Sequence, residues 1–261
     1  MELGLQGKVA IVTGSAMGMG RACVEGFVKE GANAVIADVD IKTAEELAKK
    51  LNRDVVKVLA IKTDVSQQAE VSNVVSKTME EFGKIDILVN SAGAGSEQVN
   101  FVDLEERQWD LINNVNAKGV YLITKAVLPH MMAARYGKIV NFSSLYGKEG
   151  FPLAAAYCVS KSAVIAITQA VAKECAEYTI NVNAVCPGMV RTPLWEKILN
   201  TLSQRTGEPR EQIWDEVVTS IPLKRPQTVE DIANIVLFLS SELSRNITGE
   251  SISINGGIKV D

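Results

Sequence analysis

Val9-Ala-Ile-Val-Thr-Gly-Ser-Ala-Met-Gly-Met-Gly20 decides how the rest of the chain is read. An apolar, largely β-branched run ends in a turn carrying three glycines, and an amphipathic stretch follows. A strand, a glycine turn and a helix in that order begin a βαβ unit. In such a turn Gly14 allows the reversal, Gly18 lets a pyrophosphate approach the backbone, and Gly20 permits close helix-strand packing. The free amides at the helix start meet phosphate with the favourable end of the helix dipole. Asp38, 20 residues beyond Gly18, stands where a carboxylate accepts hydrogen bonds from an adenosine ribose and repels a 2′-phosphate. No arginine or lysine stands at 15–17 or directly after Asp38, Lys42 lying four residues on, so the spacing favours NAD over NADP.

Working outward, short Val- and Ile-rich runs recur at 9–13, 34–38, 56–63, 87–90, 138–143, 180–186 and 251–255. They lack polar alternation, as expected of parallel strands buried on both faces. Helical patterns separate them; in 67–82, Val71, Val74, Val75, Met79 and Phe82 recur at three- and four-residue steps. This alternation predicts an α/β fold of one domain: a doubly wound, Rossmann-type three-layer sandwich, its seven-stranded parallel sheet flanked by helices on both faces. One segment, 188–226, breaks the rhythm with four prolines, two tryptophans and no strand. Placed beyond the carboxyl end of a strand, it reads as a lid over an active site.

Composition narrows the partners. The 261 residues are 47% hydrophobic and 22% charged, ordinary for a globular enzyme. A net charge of -4 without a basic cluster argues against nucleic acid or an anionic membrane as main partner. No apolar run approaches the roughly 20 residues of a membrane span, and residues 1–8 lead straight into a strand, so no signal peptide is expected. Cys23, Cys158, Cys175 and Cys186 form no Cys-x2-Cys pair and read as reduced core thiols of a cytoplasmic protein. His130, the single histidine, leaves neither a histidine metal cluster nor a Ser-His-Asp triad; it is expected on the surface near a helix end, and no metal is expected.

Chemistry enters with Tyr157-Cys-Val-Ser-Lys161. At this spacing a phenol and an ammonium share one helical face. A tyrosine titrates near ~10, and a nearby cation favours its phenolate, lowering that value toward working pH.

The glycine turn, Asn90-Ser-Ala-Gly93, Asn116, Ser144, Tyr157-x3-Lys161, Pro187-Gly188 and Asn255-Gly-Gly257 together resemble the classical short-chain dehydrogenases/reductases across essentially the whole chain. The second residue of Asn90-Ser-Ala-Gly departs from the family, which more often has asparagine there. The resemblance implies that Tyr157 is the general acid-base, that Lys161 lowers its pKa and binds the nicotinamide ribose, and that Ser144 holds the substrate oxygen. Asn116 would hold a water extending the proton path past Lys161, with Ser143 a packing neighbour of Ser144. The NAD contacts it implies are Gly14, Ser15, Met17, Gly18, Met19, Gly20 and Asp38, then Asp64 and Val65 by the adenine. Asn90, Ala92, Gly93, Tyr157, Lys161, Pro187, Gly188, Val190 and Thr192 complete them, Thr192 anchoring the carboxamide.

Residues 146–151, between Ser144 and Tyr157, should line the substrate pocket with Ser144 and Tyr157, through Glu149, Phe151 and Lys148; Trp195 joins from the lid. Glu149 would accept hydrogen bonds from a hydroxylated substrate, or else pair with Lys148 on a loop surface. Lys148 and Arg191 could instead receive an anionic group. Thr192-Pro-Leu-Trp195 is similar to NAD-dependent polyol and diol dehydrogenases. The expected reaction is therefore oxidation of a secondary alcohol, a polyol, sugar alcohol or small diol, to its ketone. The alternatives are a 3-oxoacyl thioester (acyl-carrier-protein type) reductase and a catalytically inert dinucleotide sensor. Helix 154–178, apolar nearly all round, suggests burial on both sides, pairing with 103–135 across a two-fold axis; the resemblance implies a homotetramer, a dimer of dimers.

Overall fold

Each apolar run becomes a strand because both of its faces find a helix layer. The computed structural model describes residues 2–95 and 98–260. The strands are β1 (Val9–Thr13), β2 (Asn33–Asp38), β3 (Val58–Lys62), β4 (Ile87–Asn90), β5 (Gly137–Phe142), β6 (Ile180–Pro187) and β7 (Ser251–Ile254). All pair in parallel, in the order β3-β2-β1-β4-β5-β6-β7. The chain leaves β1 in both directions across the sheet, so the ends of β1 and β4 part and open a crevice at their carboxyl edge. Strand ends fall close to the expected ones. Val56 is lost from β3 because it closes a turn with Arg53, and Asn52 holds Val58 on either side of that turn.

The helices are α1 (Gly18–Lys29), α2 (Ile41–Leu51), α3 (Gln68–Phe82), α4 (Glu106–Asn113), α5 (Gly119–Ala134), α6 (Ala155–Glu174), α7 (Pro193–Thr206), α8 (Arg210–Ser220) and α9 (Val229–Leu239). Alternation along β1 sorts them into two layers. Ala10 and Val12 pack with Phe27 of α1, Leu47 of α2 and Val236 of α9. Ile11 faces the opposite layer, with Val74 of α3, Ile123 and Met131 of α5, and Ala172 of α6. By length and composition α6 could cross a membrane, a correction to the sequence expectation, but it packs on β5 and β6 and carries Lys161 into the interior. It buries one side only; Val159, Ser162, Ala166 and Ala170 remain exposed.

Two local features aim the site. Between α4 and α5 the helix widens into a single π turn, Asn114–Lys118, that turns Asn116 fully inward; such turns recur at functional sites. Below the carboxyl edge runs a buried polar rung. Asn90 Nδ2 donates to Asn141 Oδ1 (2.8 Å) and Thr124 Oγ1 (3.1 Å), and Asn141 Nδ2 donates to Thr168 Oγ1 of α6 (2.9 Å). It fixes β4, β5, α5 and α6 in one register. Asn141→Ala strands donor and acceptor groups in a dry core, so urea unfolding should report a loss of about 2 kcal/mol.

Candidate active site

The crevice begins where β1 stops. Gly14 (φ +61°) lies against the β4 end so tightly that a Cβ on it would sit 2.5 Å from Ala92 Cα. Thr13 Oγ1 accepts from the amides of Ser91 and Ala92 (both 3.2 Å), locking the two strand ends together. Gly18 (φ +61°) is the opposite case: a Cβ there would meet only the Thr192 methyl, at 4.0 Å, across the cleft. α1 starts at Gly18 with no side-chain cap and no acidic residue in its first turn, so its free amides suit an anion. Asp38, 8% exposed, accepts from the amide of Ala16 (2.8 Å) through one carboxylate oxygen and from Asp40 (3.0 Å) through the other. Asp40 caps α2 through Thr43, which holds its carboxyl below the usual range. Two carboxylates thus stand at the end of β2. An uncapped helix start, an open glycine and a fixed acid match the phosphates and ribose of a dinucleotide.

The acid-base group is assembled by α6 and the end of β5. Ser144 enters a single 3-10 turn, Leu145–Gly147, and its hydroxyl accepts from the Tyr146 amide (3.2 Å). That turn lies directly on α6: a Cβ on Gly147 would fall 2.4 Å from Ser143 Oγ and 2.7 Å from the Lys161 carbonyl oxygen. Ser143 donates to the Lys161 carbonyl (2.8 Å), the packing role expected of it, and Lys161 Nζ donates to the Phe142 carbonyl (2.7 Å). Tyr157 and Ser144 stand side by side on the wall of the cleft. Asn116 is clamped to the β4 loop, accepting from the Ala94 amide (2.7 Å) and donating to the Ala94 carbonyl and to Ser160 (both 3.0 Å).

Electrostatics depart from the simple expectation. Burial pushes the Tyr157 phenol up to about 12, the Ser144 hydrogen bond acting the other way. Burial lowers the Lys161 ammonium from 10.5 to about 8. Lys161 Nζ lies 5.7 Å from the Tyr157 ring centroid and spends a proton on Phe142, so desolvation outweighs its pull on the phenol.

The cleft, of about 330 Å³, brings together Gly14, Met17, Gly18, Met19, Gly20 and Gly93 on one side. Ser144, Tyr157, Lys161, Pro187, Gly188, Val190, Thr192 and Trp195 line the other. An adjoining pocket of about 90 Å³ is bounded by Ser144, Tyr157, Gly188 and Trp195, with Gln98, Tyr146, Ala154, Met189 and Ile198. A larger concavity, about 830 Å³, lies elsewhere, between 222–227, α9 and the tail, without the acid-base residues.

Several expected contacts lie off the cleft. Ser15 is fully buried and donates to the Val12 carbonyl (2.6 Å), because the turn folds its side chain inward. Asp64 accepts from the Ser66 amide and hydroxyl (2.9 and 2.7 Å), and Val65 packs on Gly119, where a Cβ would approach it to 2.6 Å. Asn90 spends its amide on the core rung, leaving Oδ1 unpartnered, and Ala92 is pressed under Gly14. Both Asn116 amide protons are spent on Ala94 and Ser160, which leaves one acceptor site on Oδ1 for the water expected of it. Glu149 leaves the pocket to pair with Lys259, and Phe151 stands behind Tyr146, ring centroids 4.2 Å apart. Arg191 is engaged by Glu196 and Glu211 and reaches over Trp214, so it is not placed to meet a substrate anion.

Unforeseen lining residues fall into two groups. Ala154, Met189 and Ile198 are apolar positions near expected ones, and their signal was proximity to Ser144 and Trp195, whereas Tyr146 belongs to the 146–151 segment expected to line the pocket. Gln98 is brought in by the loop after β4, whose backbone accepts from Arg205 (3.3 Å), and it had no local signal.

A dry ammonium costs the fold stability. Because Lys161 titrates near 8 when folded and 10.5 ordinarily, the unfolded chain binds the extra proton between those values. The cost, roughly 3 kcal/mol at pH 7, is therefore full below pH 8 and fades as pH rises to 10.5. Lys161→Met should raise the unfolding free energy of the dinucleotide-free protein by about 2 kcal/mol at pH 7, after loss of one hydrogen bond. That gain should vanish by pH 10.5 in a pH series of urea titrations.

Comparison with known proteins agrees with this geometry. The family model described as enoyl-(acyl carrier protein) reductase matches residues 14–259. The 3-oxoacyl-[acyl-carrier-protein] reductase of Thermotoga maritima is 37% identical over 256 residues, 98% of this chain and 99% of that protein. The 3-ketoacyl-(acyl-carrier-protein) reductase of Brucella melitensis, solved with NADH, superposes with a TM-score of 0.88 at 33% identity, covering 98% of this chain and all of that one. L-sorbose reductase of Gluconobacter frateurii, solved with NADPH and L-sorbose, gives a TM-score of 0.94 at 30% identity over the full length of both chains. With this fold, this cleft and relatives matched end to end, the chain belongs to the classical short-chain dehydrogenases/reductases and is an oxidoreductase of that family.

Proposed function

We propose that the protein interconverts a secondary alcohol, a polyol, sugar alcohol or small diol, and its ketone, using NAD. The observation that carries this reading is the convergence of Ser144, Tyr157 and Lys161 on the wall of a cleft whose other wall is the uncapped start of α1. When bound, oxidised NAD supplies the hydride acceptor and a positive ring beside the phenol. Gly14, Met17, Gly18, Met19 and Gly20 bind its phosphates, Asp38 its adenosine ribose, and Thr192, whose hydroxyl does not cap α7, its carboxamide end. Ser144 orients the substrate oxygen, and Tyr157 takes or returns the hydroxyl proton. Lys161 stabilises the phenolate and binds the second ribose. Serine and tyrosine donors stabilise the developing oxyanion, and no metal is invoked.

Asp38 and Asp40 at the ribose end favour NAD over NADP, since a 2′-phosphate would meet two negative charges. Tyr146, Trp195 and Gln98 line the pocket without a charged residue among those described, which suits an uncharged substrate. Residues 188–226 act as the lid. The open faces of α4, α5 and α6, with Leu111, Tyr121 and Val159 exposed, support assembly as a homotetramer. A cytoplasmic setting suits four buried cysteines, none of them in a disulfide among the described residues.

A second reading, a 3-oxoacyl thioester reductase, is favoured by the similarity to the Thermotoga maritima protein. NADH formation with a panel of alcohols, against oxidation of NADH or NADPH by a carrier-linked 3-oxoacyl substrate, separates the two; turnover only in the second assay defeats the polyol reading.

In the alcohol assay Tyr157→Phe should lose about 10²–10⁴-fold in kcat with NAD affinity near normal. Asp38→Ala should weaken NAD about tenfold and NADP less, measured by dinucleotide titration. With its phenol at about 12, Tyr157 is protonated at neutral pH and poised to donate. Alcohol oxidation, which needs the phenolate, should therefore accelerate as pH rises above 7, while ketone reduction, which needs the phenol, stays level until the pH nears 12. Oxidation that slows as pH rises would remove Tyr157 from this role.

A further inference from the structure

Asn255-Gly-Gly257, following β7, has no part in the chemistry above, yet it shapes the chain's last residues. Asn255, 3% exposed, accepts from the Gly257 amide (3.0 Å) and donates to the Lys259 carbonyl (3.0 Å). The Leu223 amide donates to the Gly256 carbonyl (3.1 Å), and the Gly188 amide to the Ile254 carbonyl (2.9 Å). Gly188 lines both cleft and pocket, and a Cβ on it would fall 2.8 Å from Asn255 Cα. The tail is therefore a folded hook braced against the catalytic wall.

At its tip Lys259 pairs with Glu149. Glu149 belongs to the segment between Ser144 and Tyr157, which carries Tyr146 into the pocket. Tyr146 stacks on Phe151 and meets the Tyr157 ring edge-on, centroids 5.8 Å apart. The Phe151 amide in turn donates to Cys158 Sγ (3.3 Å). Glu149 thus anchors the segment whose Tyr146 and Phe151 form the aromatic wall beside the acid-base phenol.

We infer that the C-terminal hook is a strut for the substrate pocket: Lys259, through Glu149, positions Tyr146 against Tyr157 and so tunes substrate affinity without touching substrate. The inference rests on the oxidoreductase reading of the cleft. Lys259 and Glu149 side chains are 35% and 45% exposed, so the pair is of modest strength and sensitive to salt. Its loss should change the substrate KM about two- to fivefold.

Four proteins decide the matter: wild type, Lys259→Ala, Glu149→Ala, and the exchange Glu149→Lys with Lys259→Glu. Hydrogen exchange of 145–153 is measured on each, together with steady-state kinetics on the best substrate of the panel. Both single variants should exchange faster in 145–153 and raise the substrate KM at low salt, with dinucleotide affinity and melting temperature near wild type. The exchanged pair should restore both readouts, and high salt should bring wild type toward the single variants. Unchanged exchange in 145–153, or faster exchange with an unchanged substrate KM, overturns the strut, as does an equal loss of dinucleotide affinity. If no alcohol or ketone is turned over, the reading of the cleft fails, and hydrogen exchange with its rescue still decides whether the hook holds the segment.

Discussion

Lys161 donates from its ammonium to the Phe142 carbonyl while Ser143 donates to the Lys161 carbonyl, a reciprocal clasp between the end of β5 and the middle of α6. The rest of the site hangs from it. It fixes α6 at the height that sets Tyr157 beside Ser144, and it leaves so little room that residue 147 has to be glycine. The Asn90–Asn141–Thr168 rung repeats the same logic one layer down, tying both strands and α6 into a frame that does not yield. Precise placement here comes from satisfied polar groups in a dry interior, where leaving any of them unpaired is costly.

That dryness also sets the chemistry. Burial makes Tyr157 a weaker acid and Lys161 a weaker base than their exposed counterparts, so the chain alone holds a protonated phenol beside a destabilised cation. Both groups gain from a partner that brings charge and hydrogen-bond acceptors into the cleft. Function and stability therefore pull in opposite directions at residue 161, as is common where a fold carries an active site.

What could be read from the chain beforehand was whatever lay close in sequence. The glycine turn, the acid at the end of β2, and a phenol and ammonium one helical turn apart are local patterns that secondary structure converts directly into geometry. All seven strands were legible for the same reason, since burial on both faces leaves a compositional mark. Glu149 was misread because its partner, Lys259, is brought to it only by the return of the tail after β7. Asn90 was misread because its neighbours on β5 and α5 claim its amide before any ligand could. The acceptor for Lys161 is a backbone carbonyl, which no side-chain pattern announces. Long-range pairing and backbone groups are the two things a motif cannot carry.

The two helices after β6 have their own miniature interior. Leu199, Ile213 and Trp214 are buried together, with Met189, Trp195 and Leu202 packed around them, apart from the two layers that sandwich the sheet. Trp195 and Trp214 meet edge to face at 5.6 Å, and Arg191 ties both helices through Glu196 and Glu211. A nucleus separate from the main core is what sets a local cooperative unit apart from the rest of a fold. The tryptophan that walls the pocket belongs to that nucleus, so the shape of the wall depends on two helices tied to each other by solvated ion pairs, which weaken as ionic strength rises.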